Sequence, residues 1–169
     1  VPPPGAGGFA GGASSPPETI VIDPGRAFGT GAHPTTRLTL ELLQRLEPSS
    51  LLDIGCGSGV LSIAAAKLGF APVVGIDVDD AAVEATRENA RANGVAVDAQ
   101  LVDALADALP PTEVALANVA LDVVERILPR LRCERVITSG YLDRDRPQVE
   151  GWTIVDRAAA DTGTVLDYS

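Results

Sequence analysis

From residue 19 onward, short apolar runs alternate with segments whose apolar residues recur every three to four positions. The recurrence of Leu38, Leu42, Leu43 and Leu46 predicts a helix over 35–46. Runs at 50–54, 72–76, 97–102, 114–117 and 135–138 predict strands, each closed by a polar or glycine residue. Helices are expected over 60–68, stopped at Gly69, and over 79–93, stopped at Gly94. Another is expected over 121–131, interrupted by Pro129. A β-rich run at 19–22 ends in the turn signal Asp23-Pro24-Gly25. The last two strands, 153–156 and 164–168, follow each other without a convincing helix, which predicts an antiparallel hairpin at one sheet edge. Apolar central strands alternating with helices define an α/β domain: a mostly parallel sheet with helices on both faces.

Residues 1–17 break the pattern, being mostly Pro, Gly, Ala and Ser. Such a composition buries too little apolar surface to offset the entropy of ordering. It reads as a flexible segment, either a linker or the remainder of a removed upstream domain, leaving 18–169 as the domain. Methionine is absent, even at position 1, so a processed or partial chain is expected.

Composition narrows the function. With 46% apolar residues the chain can build a core, yet no run approaches the roughly 20 needed to span a bilayer. No basic stretch followed by an apolar one marks a signal peptide, so the expectation is a soluble, cytoplasmic protein. The net charge is −10, Lys67 is the one lysine and the arginines are scattered. Direct nucleic-acid binding needs a basic stripe and is not expected. A basic protein partner would be drawn by long-range attraction; the simpler reading is that acidity keeps the protein soluble. Cys56 and Cys133 have no CxxC or His-rich context, so they read as reduced thiols and no metal site is expected. Oligomeric state is not encoded in any of these features.

Ligands of open parallel sheets bind outside the carboxyl ends of the strands. Gly55, Asp77, Asp103, Asn118 and Ser139 fall at five successive strand ends. Asp53-x-Gly55-x-Gly57-x-Gly59 follows the first central strand and opens a helix. Glycines permit positive φ and close approach of a ligand, and helix N-terminal amides favour an anionic group such as a carboxylate. The dinucleotide fingerprint G-x-G-x-x-G would need glycine at 60, where Val60 stands, which weakens an NAD reading. S-adenosyl-L-methionine carries a carboxylate, an ammonium and a sulfonium but no pyrophosphate, and an acid at 53 suits that cationic ligand. Asp77 ends the next strand, where a carboxylate accepts from both ribose hydroxyls. Asp103 is placed to accept from an adenine amino group. Among residues outside the motif, His33 is a base or a loop latch, with the structural role favoured; Asp122 reads as complementing a helix dipole, and Trp152 and Tyr141 as core or rim.

The stretch Ile22-Asp23-Pro24-Gly25-Arg26-Ala27-Phe28-Gly29-Thr30-Gly31-Ala32-His33-Pro34-Thr35-Thr36 resembles the signature loop of the ribosomal protein L-eleven methyltransferase (PrmA) family. The glycine loop, Val74-Gly75-Ile76-Asp77, Glu84-Ala85-Thr86-Arg87-Glu88-Asn89-Ala90, Leu116-Ala117-Asn118-Val119 and Ser139-Gly140 are similar to that family as well. The resemblance covers roughly residues 19–157; the signature loop is its most specific part, whereas many methyltransferases share the glycine loop. It implies a seven-stranded, Rossmann-like methyltransferase sheet. It puts cofactor contacts at Thr36, Gly55, Asp77 and Asn118, with the loop from Phe28 to His33 covering the cofactor and Phe28 among its contacts. The implied reaction is methylation of amines on a ribosomal protein. From its own chemistry Asn118 cannot act as a base, but its side-chain carbonyl is expected to hold the amine in line. The family's upstream recognition domain is represented here only by the Pro/Gly-rich stretch. Its usual Glu-Trp pair in the last strands is replaced by Asp161-Thr162-Gly163-Thr164. The alternatives are a stand-alone small-molecule methyltransferase and a cofactor-binding module without turnover.

Overall fold

A computed structural model describes residues 19–23, 33–142, 145, 147, 149–160 and 163–169. The expected flexible segment 1–17, Phe28 with most of the signature loop, and Asp161-Thr162 lie outside the described residues.

Seven strands form one sheet: β1 (Leu51–Ile54), β2 (Val73–Asp77), β3 (Asp98–Leu101), β4 (Val114–Asn118), β5 (Arg135–Tyr141), β6 (Ile154–Ala160) and β7 (Gly163–Tyr168). The helices are α1 (Pro34–Leu43), α2 (Val60–Lys67), α3 (Asp80–Ala92) and α4 (Leu121–Ile127). The strand order is β3-β2-β1-β4-β5-β7-β6. β1 to β5 pair in parallel, while β7 runs antiparallel to both β5 and β6. The expected hairpin is therefore β6–β7, with its second strand inserted beside β5.

Alternation along the central strands divides the core into two layers. Leu51, Val114, Leu116, Ile137 and Val165 pack with Leu38, Leu42 and Leu43 of α1 and Leu61 and Ala65 of α2. Their neighbours Leu52, Ala115, Ala117, Val136 and Leu166 pack with Val124 and Ile127 of α4. Strands buried on both faces read as continuous apolar runs, as the sequence does. Gly69 and Gly94 stop α2 and α3 as expected, at φ +96° and +67°. In both helices the next residue closes the last turn, through Phe70 N–H to the Ala65 carbonyl and Val95 N–H to the Ala90 carbonyl, both at 3.1 Å.

Three expectations need correction. Residues 19–22 form no strand: side-chain amides of Asn89 and Asn93 in and just after α3 bond this segment where a neighbouring strand would. The helix over 121–131 is shorter; its α-helical part ends at Ile127 and Leu128–Arg130 form one 3-10 turn, because Pro129 has no N–H to continue the ladder. Ser139 is not at a strand end, since antiparallel pairing with β7 (Ser139 opposite Val165, Tyr141 opposite Thr164) carries β5 on to Tyr141.

Candidate active site

The order of strands reverses between β1 and β4, and the crevice at such a switch point is where an open sheet receives ligands. A cavity of about 1420 Å³ opens there. Its wall includes Thr36, Asp53, Gly55, Gly57, Asp77, Asp103 and Asn118, so one site collects most of the residues expected from the sequence.

The glycine loop has the backbone that its composition requires. Gly55, Gly57 and Gly59 have φ of +73°, +55° and +83°, which other residues rarely adopt. Gly55 and Cys56 donate their N–H groups to the Ile76 carbonyl at 2.8 and 3.0 Å, fastening the loop to the end of β2. Space is as restrictive as φ: a Cβ on Gly55 would lie 2.7 Å from Val119 Cγ1. Gly140, on the other side, leaves room for the Val119 backbone. Two glycines thus let the chain after Asn118 pass between the loop that follows β1 and the end of β5. Gly59 is not on the cavity wall; it is the N-cap of α2 and sits against Thr86.

Asp77 Oδ2 accepts from Gly57 N–H and Oδ1 from Asp79 N–H, both at 3.0 Å. The acid at the end of β2 therefore shapes the glycine loop while facing the cavity. Asp79 in turn caps α3 by accepting from Ala81 N–H at 2.9 Å. Asp103 lies on the wall with one carboxylate oxygen accepting from Leu105 N–H at 2.8 Å.

Asp53 differs from the other acids. It is 1% exposed and accepts from Ser62 Oγ of α2 at 2.6 Å. Burial pushes its carboxyl up to about 6, although the Ser62 hydrogen bond pulls the other way. Cys56 is buried as well; burial raises its thiol to about 12, so it stays protonated and inert.

Asn118 Oδ1 accepts from Ser139 Oγ at 2.9 Å, and Thr39 Oγ1 of α1 lies 3.4 Å from that same hydroxyl. These buried hydroxyls fix how the Asn118 amide faces the cavity. His33 is the N-cap of α1, with Nδ1 2.7 Å from Thr35 Oγ1 and 3.3 Å from Thr35 N; it also borders the cavity, and the loop it is expected to latch lies outside the described residues. Thr36 follows in the first turn, its N–H bonded to the His33 carbonyl at 3.0 Å. Asp122 lies in the first turn of α4, as the dipole reading requires. Trp152 packs at the core margin and donates Nε1–H to the Leu128 carbonyl at 3.0 Å. Sequence reasoning missed Ser62, Thr39, Thr86 and Asn89. For the last two the available signal was two polar residues three apart on a helix face otherwise formed by Ala82, Val83 and Ala90.

Among the described residues of the cavity wall, aspartates supply the charge. Its described residues include four aspartates (Asp53, Asp77, Asp103, Asp145) and no lysine or arginine. Apolar side chains such as Leu121, Val123 and Leu142 complete it. These described residues suit a cationic ligand with an apolar portion better than a pyrophosphate. Among the described residues no group of three His, Cys, Asp or Glu side chains is arranged to hold a metal ion. No helix among them is long and apolar enough to cross a membrane.

A seven-stranded sheet in this order, with a glycine loop at its switch point, defines the class: a Rossmann-like methyltransferase domain. Comparison with known proteins narrows it further. Residues 13–153 match the ribosomal protein L11 methyltransferase (PrmA) family, and the chain belongs to that family. It is 46% identical over 125 residues to the ribosomal protein L11 methyltransferase of Dechloromonas aromatica, covering 73% of this chain and 41% of that protein. To the Thermotoga maritima protein of the same name it is 37% identical over 151 residues, covering 82% and 57%. The chain thus spans about half the length of these curated relatives. The crystal structure of a ribosomal protein L11 methylase from Lactobacillus delbrueckii subsp. bulgaricus superposes with a TM-score of 0.75 at 31% identity, covering 89% of this chain and 84% of that one.

Proposed function

We propose that residues 18–169 form an S-adenosyl-L-methionine-dependent methyltransferase domain that methylates amines of a protein, with a ribosomal protein as acceptor. The observation that carries this reading is the cavity at the switch point. It combines a positive-φ glycine loop, an acid at the end of β2 bonded to that loop, and a wall with four aspartates and no lysine or arginine among its described residues. Membership of the family supports the acceptor, and a ribosomal protein acceptor would put the work in the cytoplasm.

Gly55 and Gly57 would admit the cofactor against the backbone, Asp77 would take its ribose hydroxyls and Asp103 its adenine amino group. Thr36 would close the site from α1, and the charge of Asp53 would favour a cation nearby. Phe28 is assigned to the cofactor by resemblance alone. When bound, S-adenosyl-L-methionine supplies a methyl group already activated by a sulfonium. The protein's remaining task is alignment. The Asn118 carbonyl, held by Ser139, keeps a lone pair with which to orient an amine; an amide takes no proton, so Asn118 positions and does not act as a base. An amine entering past Leu121, Val123 and Leu142 loses water, which lowers its pKa and favours the neutral nucleophile.

Two measurements test the reading. Calorimetry should give S-adenosylhomocysteine a micromolar-range affinity, on the order of −8 kcal/mol, and little for NAD; tighter binding of NAD would overturn the cofactor assignment. Labelled methyl should then pass into a purified ribosomal protein fraction. Label appearing only in metabolites would replace the protein acceptor with a small molecule.

A further inference from the structure

Helix α3 carries polar side chains where it should be apolar. Thr86 and Asn89 are 0% and 3% exposed, and Asn93 follows as the helix C-cap. Thr86 Oγ1 donates to the Gly57 carbonyl at 3.0 Å. One turn on, Asn89 Nδ2 donates to the next carbonyl of the loop, that of Ser58, at 2.9 Å. The same Asn89 amide also holds Asp23, accepting from its N–H at 3.0 Å and donating to its carbonyl at 3.2 Å. Asn93 repeats this at Val21, accepting from the N–H at 2.9 Å and donating to the carbonyl at 2.6 Å. Its Nδ2 also reaches the Asn89 carbonyl at 2.8 Å.

The match is geometric. Four residues of helix advance by about 6 Å, and two residues of extended chain advance by roughly 6.6–6.8 Å. Asparagines four apart on α3 therefore meet alternate residues of 19–23, each offering one donor and one acceptor as a peptide group does. They act as a two-rung substitute for a strand. Asn89 does more than Asn93, because it bonds the glycine loop as well. It does not line the cavity, so it contributes nothing to a ligand directly. A loop with three positive-φ glycines is intrinsically free to move, and pinning two successive carbonyls removes much of that freedom.

We propose that Asn89 is a positioning residue for cofactor binding: its single planar amide joins Ser58 of the glycine loop to Asp23, so that occupancy of the loop and seating of residues 21–23 on α3 are thermodynamically coupled. The proposal rests on the cofactor reading above. Coupling of this kind is reciprocal. Ligand in the cavity must tighten the hold on 21–23, and weakening that hold must loosen the ligand.

The test is amide hydrogen exchange with and without S-adenosylhomocysteine, together with calorimetry on the wild-type chain, Asn93→Ala and Asn89→Ala. In the wild type, saturating ligand should raise protection of the Val21 and Asp23 amides by at least about fivefold, the lower end of ordinary coupling between sites. Asn93→Ala touches neither cavity nor glycine loop, yet should weaken S-adenosylhomocysteine by about the same factor. Asn89→Ala should weaken it further. If Asn89→Ala does not fold, the wild-type exchange data and Asn93→Ala decide the matter alone. Protection at Val21 and Asp23 that ignores ligand, or wild-type affinity in Asn93→Ala, would overturn the coupling while leaving the cofactor assignment intact. A wild-type chain that binds no S-adenosylhomocysteine would sink the cofactor assignment and the coupling with it.

Discussion

Asp53→Asn tests whether an ionisable group is truly buried under the glycine loop. Asp53 is 1% exposed, and burial lifts its carboxyl from 3.8 to about 6. The folded chain therefore holds this proton more tightly than the unfolded chain. The resulting stabilisation is complete below pH 3.8 and is lost as pH rises through about 6. A difference of about 2 pH units corresponds to about 3 kcal/mol as an upper figure. Asparagine keeps an oxygen for Ser62 Oγ and carries no charge. Whatever its extra N–H groups cost, that cost is the same at every pH. The stability of Asp53→Asn relative to wild type should therefore climb by about 2–3 kcal/mol between pH 4 and pH 7, or roughly 4–12 °C in relative Tm for a chain of this size. Thermal unfolding followed by circular dichroism at pH 4, 5, 6 and 7 measures it. A difference that stays flat over that range would refute the burial argument, whatever its absolute value.

Two substitutions address the loop and its acid. Asp77→Ala should weaken S-adenosylhomocysteine at least about tenfold in calorimetry, since each charge-assisted hydrogen bond contributes about 1.5–3 kcal/mol; the Gly57 and Asp79 amides lose their acceptor at the same time. A folded Asp77→Ala protein with unchanged affinity would exclude ribose recognition at this position. Gly55→Ala imposes both a positive φ of +73° and a Cβ 2.7 Å from Val119 Cγ1, and should destabilise the domain by about 1–3 kcal/mol. An unchanged midpoint in urea unfolding would show that the loop relaxes more freely than its packing implies.

Most of the fold was legible in the chain because its signals are local. Apolar period, Gly69 and Gly94 at helix ends, and glycines at 55, 57 and 59 each constrain backbone within a few residues, and each appears where expected. The site was legible for a related reason. In a parallel sheet the carboxyl ends of the strands share one rim, so Gly55, Asp77, Asp103 and Asn118 had to converge. Partners were not legible. The run at 19–22 has the same preference for extended backbone whether a strand or two asparagines bond it, and only folding brings residues 66 to 72 positions apart together. Likewise, nothing local turns Asp53 toward Ser62, sets Ser139 beside Asn118, or inserts β7 between β5 and β6. Short-range sterics and hydrophobic period act on each segment by itself, so the sequence alone determined the elements, their order along the chain and the rim that lines the cavity. The choice of partner for each buried polar group is made by the packed core, because it depends on which distant groups the closed layers exclude from water.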